Sequence, residues 1–306
     1  MQLVYHMGAH CTDEDRLLRG LLKDRGRLAG SGVQVPAPGR YRPLLLRSLA
    51  ALKGAPAPAA VQEELLDAML DGDHAGRLVL SHEFLLCIPM RVVSDQGFYA
   101  AAARRCAAIA NLFPEAECEF HIALRNPATL VPALVERISG ASYGGLMGDT
   151  DPTSLRWAPV IRRIRETVPR ARLSLWCNED TPLIWPEVLA RVGGIDRDGS
   201  AGLLSDGGWS DGGGPMAGAE DLLATIMTPA GMAQMRAGLA PLAADDIEAR
   251  RDIVSACLER HARPGAIEVS VDLPGWTDAL IAAMTAAYED DIAEIATIDG
   301  VEMILP

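Results

Sequence analysis

Short apolar runs alternate with segments of helical periodicity from the N-terminus to Val192, and this alternation narrows the available folds more than any other feature. Leu3-Val4-Tyr5-His6-Met7, Arg77-Leu78-Val79-Leu80-Ser81, Cys118 to Leu124 and Ala171 to Cys177 read as buried strands. Arg16 to Leu22, Tyr41 to Lys53, Ala59 to Leu70, Gly97 to Phe113, Leu155 to Val168 and Pro182 to Val192 read as helices, and a further helix opens at Arg125-Asn126-Pro127. Strands and helices in turn predict an α/β fold, a parallel sheet covered by helices on both faces, with ligand groups at the C-terminal strand ends. A glycine-rich stretch, 193–218, predicts a flexible loop. Residues 219–306 read as a mainly helical portion, with helices over Ala219 to Thr225, Pro229 to Gly238, Ala244 to Ala262 and Trp276 to Ile292. The whole chain, 1–306, is expected to form one domain.

The first strand runs into the loop Gly8-Ala9-His10-Cys11-Thr12-Asp13-Glu14-Asp15 and then a helix. Strand, tight loop and helix in this order present backbone N–H groups to a phosphate. Carboxylates oppose that use. Like charges about 4 Å apart repel by about 4 kcal/mol at an effective dielectric of roughly 20, against about 0.3–1 kcal/mol gained at a helix N-terminus. Thr12 to Asp15 therefore predicts a helix capped by its own side chains, with Thr12 as N-cap and Asp15 closing a capping box. His6, His10, Cys11, Asp13 and Glu14 are also ligand types for zinc or a harder cation, but no His-x3-His spacing accompanies them, and no metal is expected.

Composition sets the partners. The 28 basic and 41 acidic residues give a formal charge of −13, which argues against nucleic acid and anionic membranes. Six scattered cysteines without a Cys-x-x-Cys pattern suit a reduced compartment, and no signal or membrane-spanning stretch is evident, so a cytoplasmic protein of bacterial style is expected.

The opening resembles the sulfotransferase family, especially its bacterial branch, where a strand and a glycine lead into Lys-Ser/Thr-Gly-Thr-Thr/Ser at a helix start. On that pattern Gly8 keeps the glycine and Thr12 the first hydroxyl, while Cys11 replaces the lysine, Asp13 the glycine, and Glu14 and Asp15 the hydroxyl pair. Asp24 to Pro36 resembles the family's helix end and second strand. Ser81-His82-Glu83 resembles its Ser-Ser-Glu strand end, and Arg125-Asn126-Pro127 its Arg-Asn/Lys-Pro. Trp176 to Trp185 and Trp276 to Pro306 resemble a strand-end turn and the terminal helix and tail.

The resemblance implies a P-loop-type fold and 3′-phosphoadenosine 5′-phosphosulfate as donor, held by Gly8, Thr12, Ser81 and Arg125. His82, Glu83 or His10 would be the base toward a small-molecule acceptor. Arg125 matches the arginine that contacts the donor's 3′-phosphate, while the partner serine falls on Ala133. Two functions stand side by side: a divergent enzyme transferring a sulfuryl group, and a catalytically inactive relative that binds a ligand or protein partner. Arg16, Arg19 or Arg91 filling the lysine's place would favour the first. An Arg125–Glu83 pair closing the cleft would favour the second. Asp180 or Thr181 is expected to cap the helix at Pro182, and a metal-dependent enzyme would need three of the loop's ligand types to converge.

Overall fold

A computed structural model describes residues 1–72, 74–195, 216–243, 246–267 and 271–306. Strand β1 (Gln2–His6) leads through α1 (Arg16–Lys23) and α2 (Arg25–Gly30) to the two-residue β2 (Val33–Gln34). Helices α3 (Pro38–Leu52) and α4 (Ala59–Met69) precede β3 (Arg77–Ser81), and α5 (Ala102–Ala110) precedes β4 (Glu117–Leu124). Then come α6 (Pro127–Arg137), α7 (Tyr143–Met147), α8 (Trp157–Thr167) and β5 (Arg172–Cys177). The chain continues through α9 (Thr181–Gly193), α10 (Asp221–Ile226), α11 (Pro229–Leu239), α12 (Ile247–His261), α13 (Pro264–Ile267) and α14 (Asp278–Ile295) to β6 (Val301–Met303).

The six strands pair in the order β2-β3-β1-β4-β5-β6, all parallel. Alternation along each strand sends side chains to two cores. Leu3, Tyr5, Leu78, Leu80, Phe120 and Ile122 pack against α3, α5, α6 and α8 on one face, while Val4, Val79, Ala123 and Trp176 pack against α1 and α9 on the other. Leu17, Leu21, Ile184 and Val188, all fully buried, fill that second layer. Each such aliphatic side chain removed from water contributes about 1.5–3 kcal/mol.

The second face also buries a polar ladder. Ser81, His6, His121 and Ser174 lie side by side in register across four strands. His6 Nδ1 lies 2.9 Å from Ser81 Oγ, and His121 Nε2 lies 2.8 Å from Glu119 Oε1. Arg77 Nη1 donates to Glu119 Oε2 at 2.8 Å, closing an Arg-Glu-His set that is almost wholly out of solvent. Trp176 covers the row, its ring stacked 5.9 Å from that of His6. His6 Nε2 and His121 Nδ1 have no hydrogen-bond partner among the described residues. Burial lowers the pKa of both imidazoles, holding them neutral at pH 7.

The C-terminal portion divides its packing between two places. Helices α10, α11 and α12 form a small core of their own around Met227, Met235 and Cys257. Helix α14 instead returns to the sheet: the fully buried Asp291 accepts from the Trp157 N–H at 2.6 Å and from Arg156 Nε at 2.9 Å. The tail then adds β6 to the sheet edge beside β5, a strand within the stretch expected to be a terminal helix and tail. Most of the expected loop 193–218, namely 196–215, lies outside the described residues. At its far end Gly218 meets α1 backbone to backbone, and a Cβ there would lie 2.5 Å from Gly20 Cα. Among the described residues, no helix is long and apolar enough to cross a membrane.

Candidate functional site

β1 sits between β3 and β4, but its own connection leads away toward β2 while that of β4 leads toward β5. Loops that diverge from neighbouring strands leave a crevice beyond their C-terminal ends, the place where open α/β sheets hold ligands. Here it is a cleft of about 1080 Å³ between the 8–15 loop and α6. Cys11, Glu14, Asp15, Glu83, Arg125 and Arg137 line it, with Ala133, Glu136 and Asp272.

The start of the loop is tied into the fold through its amides. The Met7 and Ala9 amides donate to the His121 and Ala123 carbonyls at 2.9 and 2.7 Å, extending the β1–β4 ladder past the strand end. The His10 amide donates to Tyr99 Oη at 3.2 Å. Gly8 takes a left-handed turn at φ 77°. Cys11, Glu14 and Asp15 do the same at φ 57°, 51° and 65°, a conformation that costs a residue with a Cβ about 1–2 kcal/mol.

The capping box expected over Thr12 to Asp15 does not form. Asp15 is the N-cap residue, in the left-handed conformation and with no side-chain cap. Thr12 Oγ1 turns back to donate to the Ala9 carbonyl at 2.8 Å, and Asp13 Oδ2 accepts the Leu17 N–H at 3.0 Å. The left-handed turn at Glu14 and Asp15 shifts the helix start and brings Asp13, rather than Thr12, to its free amides.

Three arginines surround the loop, each already engaged. Arg42 binds Asp15 through both carboxylate oxygens, Nη1 to Oδ2 at 2.9 Å, while its Nε donates to the Ser81 carbonyl at 2.9 Å. This pairing lowers the Asp15 pKa. Arg125 Nη1 donates to the Cys11 carbonyl and its Nε to Thr129 Oγ1 at 3.1 Å. The Arg125–Glu83 pair that would have favoured a closed cleft does not form: Glu83 binds Arg137. Burial raises the Glu83 pKa, with Asp13 and Asp15 adding to it against the pull of Arg137. Burial likewise raises that of the Cys11 thiol.

The expected bases separate by position. His10 is fully buried, with Nδ1 2.8 Å from Tyr99 Oη and Nε2 3.1 Å from the Cys87 carbonyl. The carbonyl can only accept, so Nε2 carries the proton and Nδ1 accepts from the tyrosine. With both nitrogens occupied, this imidazole is held inside the fold and does not line the cleft. His82 packs its ring 5.2 Å from that of Phe84 and makes no ring hydrogen bond among the described residues. Burial pulls the pKa of each down to about 4, with Arg42 adding to the effect on His82. Ser81 points its hydroxyl at His6 inside the sheet and offers the site only its carbonyl, already bound by Arg42 and by Tyr41 Oη at 2.7 Å.

Several residues at the site were not singled out by sequence. Arg137 stands one helical turn beyond Ala133 on α6, a spacing that would place both on one face. Glu179 ties the back of the site together: Oε1 accepts the Asn126 N–H at 2.9 Å, and Oε2 lies 3.0 Å from Tyr288 Oη. The Asn178–Asp180 turn therefore tethers β4 to α14, and neither Asp180 nor Thr181 caps α9 with its side chain. Asn126 caps α6 through the Ala128 N–H at 2.9 Å. Arg16, Arg19 and Arg91 do not line the cleft. Among the described residues no three His, Cys, Asp or Glu side chains converge as metal ligands. No family model, curated protein or solved structure matches the chain.

Proposed function

We propose that the chain is a sulfotransferase-like α/β binding protein whose cleft does not take a phosphosulfate donor. Two of the three arginines at the loop are already neutralised, Arg42 by Asp15 and Arg137 by Glu83, and Arg125 spends its donors on the Cys11 carbonyl and Thr129. A donor carrying several negative charges would have to displace those carboxylates and lie beside Glu14, Glu136 and Asp272 as well. The amides of Ala9 and His10, at the start of the loop, are bound within the fold. Strand, loop and helix at the switch point support kinship in fold, while the loop chemistry supports loss of the donor. Calorimetric titration with 3′-phosphoadenosine 5′-phosphate tests this. The expected result is no saturable heat at millimolar nucleotide with folded protein; saturable binding abolished by Arg125→Ala would overturn it.

One observation favours the divergent enzyme instead. Arg125 and Arg137 line the cleft together with Cys11, the position that the sulfotransferase resemblance gives to the donor lysine, and Arg125 binds its carbonyl. On this second reading Arg137 leaves Glu83 when donor binds, and Glu83, which lines the cleft, takes the acceptor's proton. Transfer to an acceptor that disappears in Arg137→Gln would establish it.

A further inference from the structure

A second depression, of about 820 Å³, lies between α3, the 84–101 segment and the start of α5, and shares no lining residue with the cleft. Arg91, Arg104 and Arg105 line it, and no Asp or Glu does. In a chain of formal charge −13 this is an unusual balance. Arginines elsewhere find carboxylates, as Arg25 and Arg40 do at Asp71, Arg156 at Asp291 and Arg162 at Glu294. Among the described residues none of these three is in an ion pair.

The arginines are placed by the backbone. A tight turn at Pro89–Arg91 presents Arg91, and the first turn of α5 presents Arg104 and Arg105. Arg105 is half-buried and anchored by its Nε on the Leu85 carbonyl at 2.9 Å, which fixes the guanidinium plane and leaves its remaining donors without a hydrogen bond among the described residues. Burial and the neighbouring Arg104 lower its pKa, the mark of a cation removed from water without a counter-charge. Cys87, the other titratable lining group, has its thiol pushed up to about 12 by burial and supplies no negative charge.

The rest of the depression is apolar. Phe84 and Leu46 form part of its wall, and Ile88, 57% exposed, stands at its rim. A guanidinium fork presents paired donors to a carboxylate, sulfonate or phosphate, and the volume suits one small molecule. We infer that this depression is a binding site for a small amphipathic anion, its head held by Arg91, Arg104 and Arg105 and its apolar body lying on Phe84, Leu46 and Ile88.

Calorimetric titration of the full chain with naphthalene-2-sulfonate tests the inference, with 2-naphthol as the uncharged comparator and inorganic sulfate as the bare head group. The sulfonate should bind one to one and at least about tenfold more tightly than either comparator, the step one charge-assisted contact supplies. Arg104→Gln, at an exposed position, and Arg105→Gln should each weaken it by about tenfold or more. Arg137→Gln, in the other cleft, should leave it unchanged. Equal affinity for 2-naphthol or for inorganic sulfate, no saturable binding, or full affinity in both arginine variants would overturn the site. Loss in Arg137→Gln with retention in Arg104→Gln would overturn it too, placing the ligand in the switch-point cleft.

Discussion

The Arg137 guanidinium is bound to the Glu83 carboxylate, so one cation at the cleft is neutralised there. Its partner comes from the end of β3 and its perch from α6, the two elements that flank the loop on either side.

Removing the carboxylate should release that cation. Glu83→Gln is expected to raise affinity for inorganic sulfate by about tenfold or more, the step associated with one charge-assisted hydrogen bond. Calorimetry on the wild type and the variant reads this directly. Equal affinity in both would show that Arg137 does not turn toward the cleft when freed.

The left-handed residues in the loop make a stability prediction. Glu14 holds φ 51°. Glu14→Gly should stabilise the fold by about 0.5–1 kcal/mol, since relief of strain exceeds the entropy that glycine adds to the unfolded chain. Glu14→Val should destabilise it by about 1–2 kcal/mol, because a β-branched residue resists this region. Urea denaturation midpoints at neutral pH decide between these signs and a null effect.

Acid should act earlier than carboxylate titration alone would allow. His10 and His82 are pulled from 6.5 to about 4, and His6 and His121 are lowered as well. Below pH 6.5 the unfolded chain therefore binds protons that the folded chain refuses. The histidine contribution is whole above that pH and is lost as pH falls toward 4. For His10 the loss reaches at most about 3 kcal/mol. Glu119, held down to about 2, adds a second decline beginning only near 4.5. Urea midpoints measured from pH 7 to pH 4 should fall steadily, and His10→Gln should flatten the slope; a level profile over that range would contradict the assignment.

The buried Arg77–Glu119–His121 set should respond sharply to the loss of one member. Glu119→Ala leaves Arg77 charged and out of solvent, and should destabilise the protein by about 3–5 kcal/mol. A cost under about 1 kcal/mol in chemical denaturation would mean that water enters and solvates the arginine.

The main architecture was legible because continuous apolar runs such as Leu78-Val79-Leu80 have few alternatives to a doubly covered strand. β6 was not: Val301–Met303 is three residues long and half-exposed at a sheet edge, so burial leaves no pattern in it. The loop's place at the ligand edge could be read from strand, glycine and helix in succession. Its hydrogen bonding could not, because the left-handed turn at Glu14 and Asp15 moves the helix start, and no composition rule signals that. Nor could sequence pair Glu83 with Arg137, 54 positions apart, rather than with Arg125, since both arginines follow the same strand.

The last helix turns out to be part of the cleft's foundation. Asp291 grips the first turn of α8, the Trp157 indole there donates to the Arg125 carbonyl at 2.8 Å, and Arg125 in turn holds Cys11. Thr285 and Tyr288 brace Asn126 and Glu179 from the same helix. A lesion near the C-terminus would thus reach residues at the opposite end of the chain, and a frameshift past α12 would disarm the first loop as surely as a change within it.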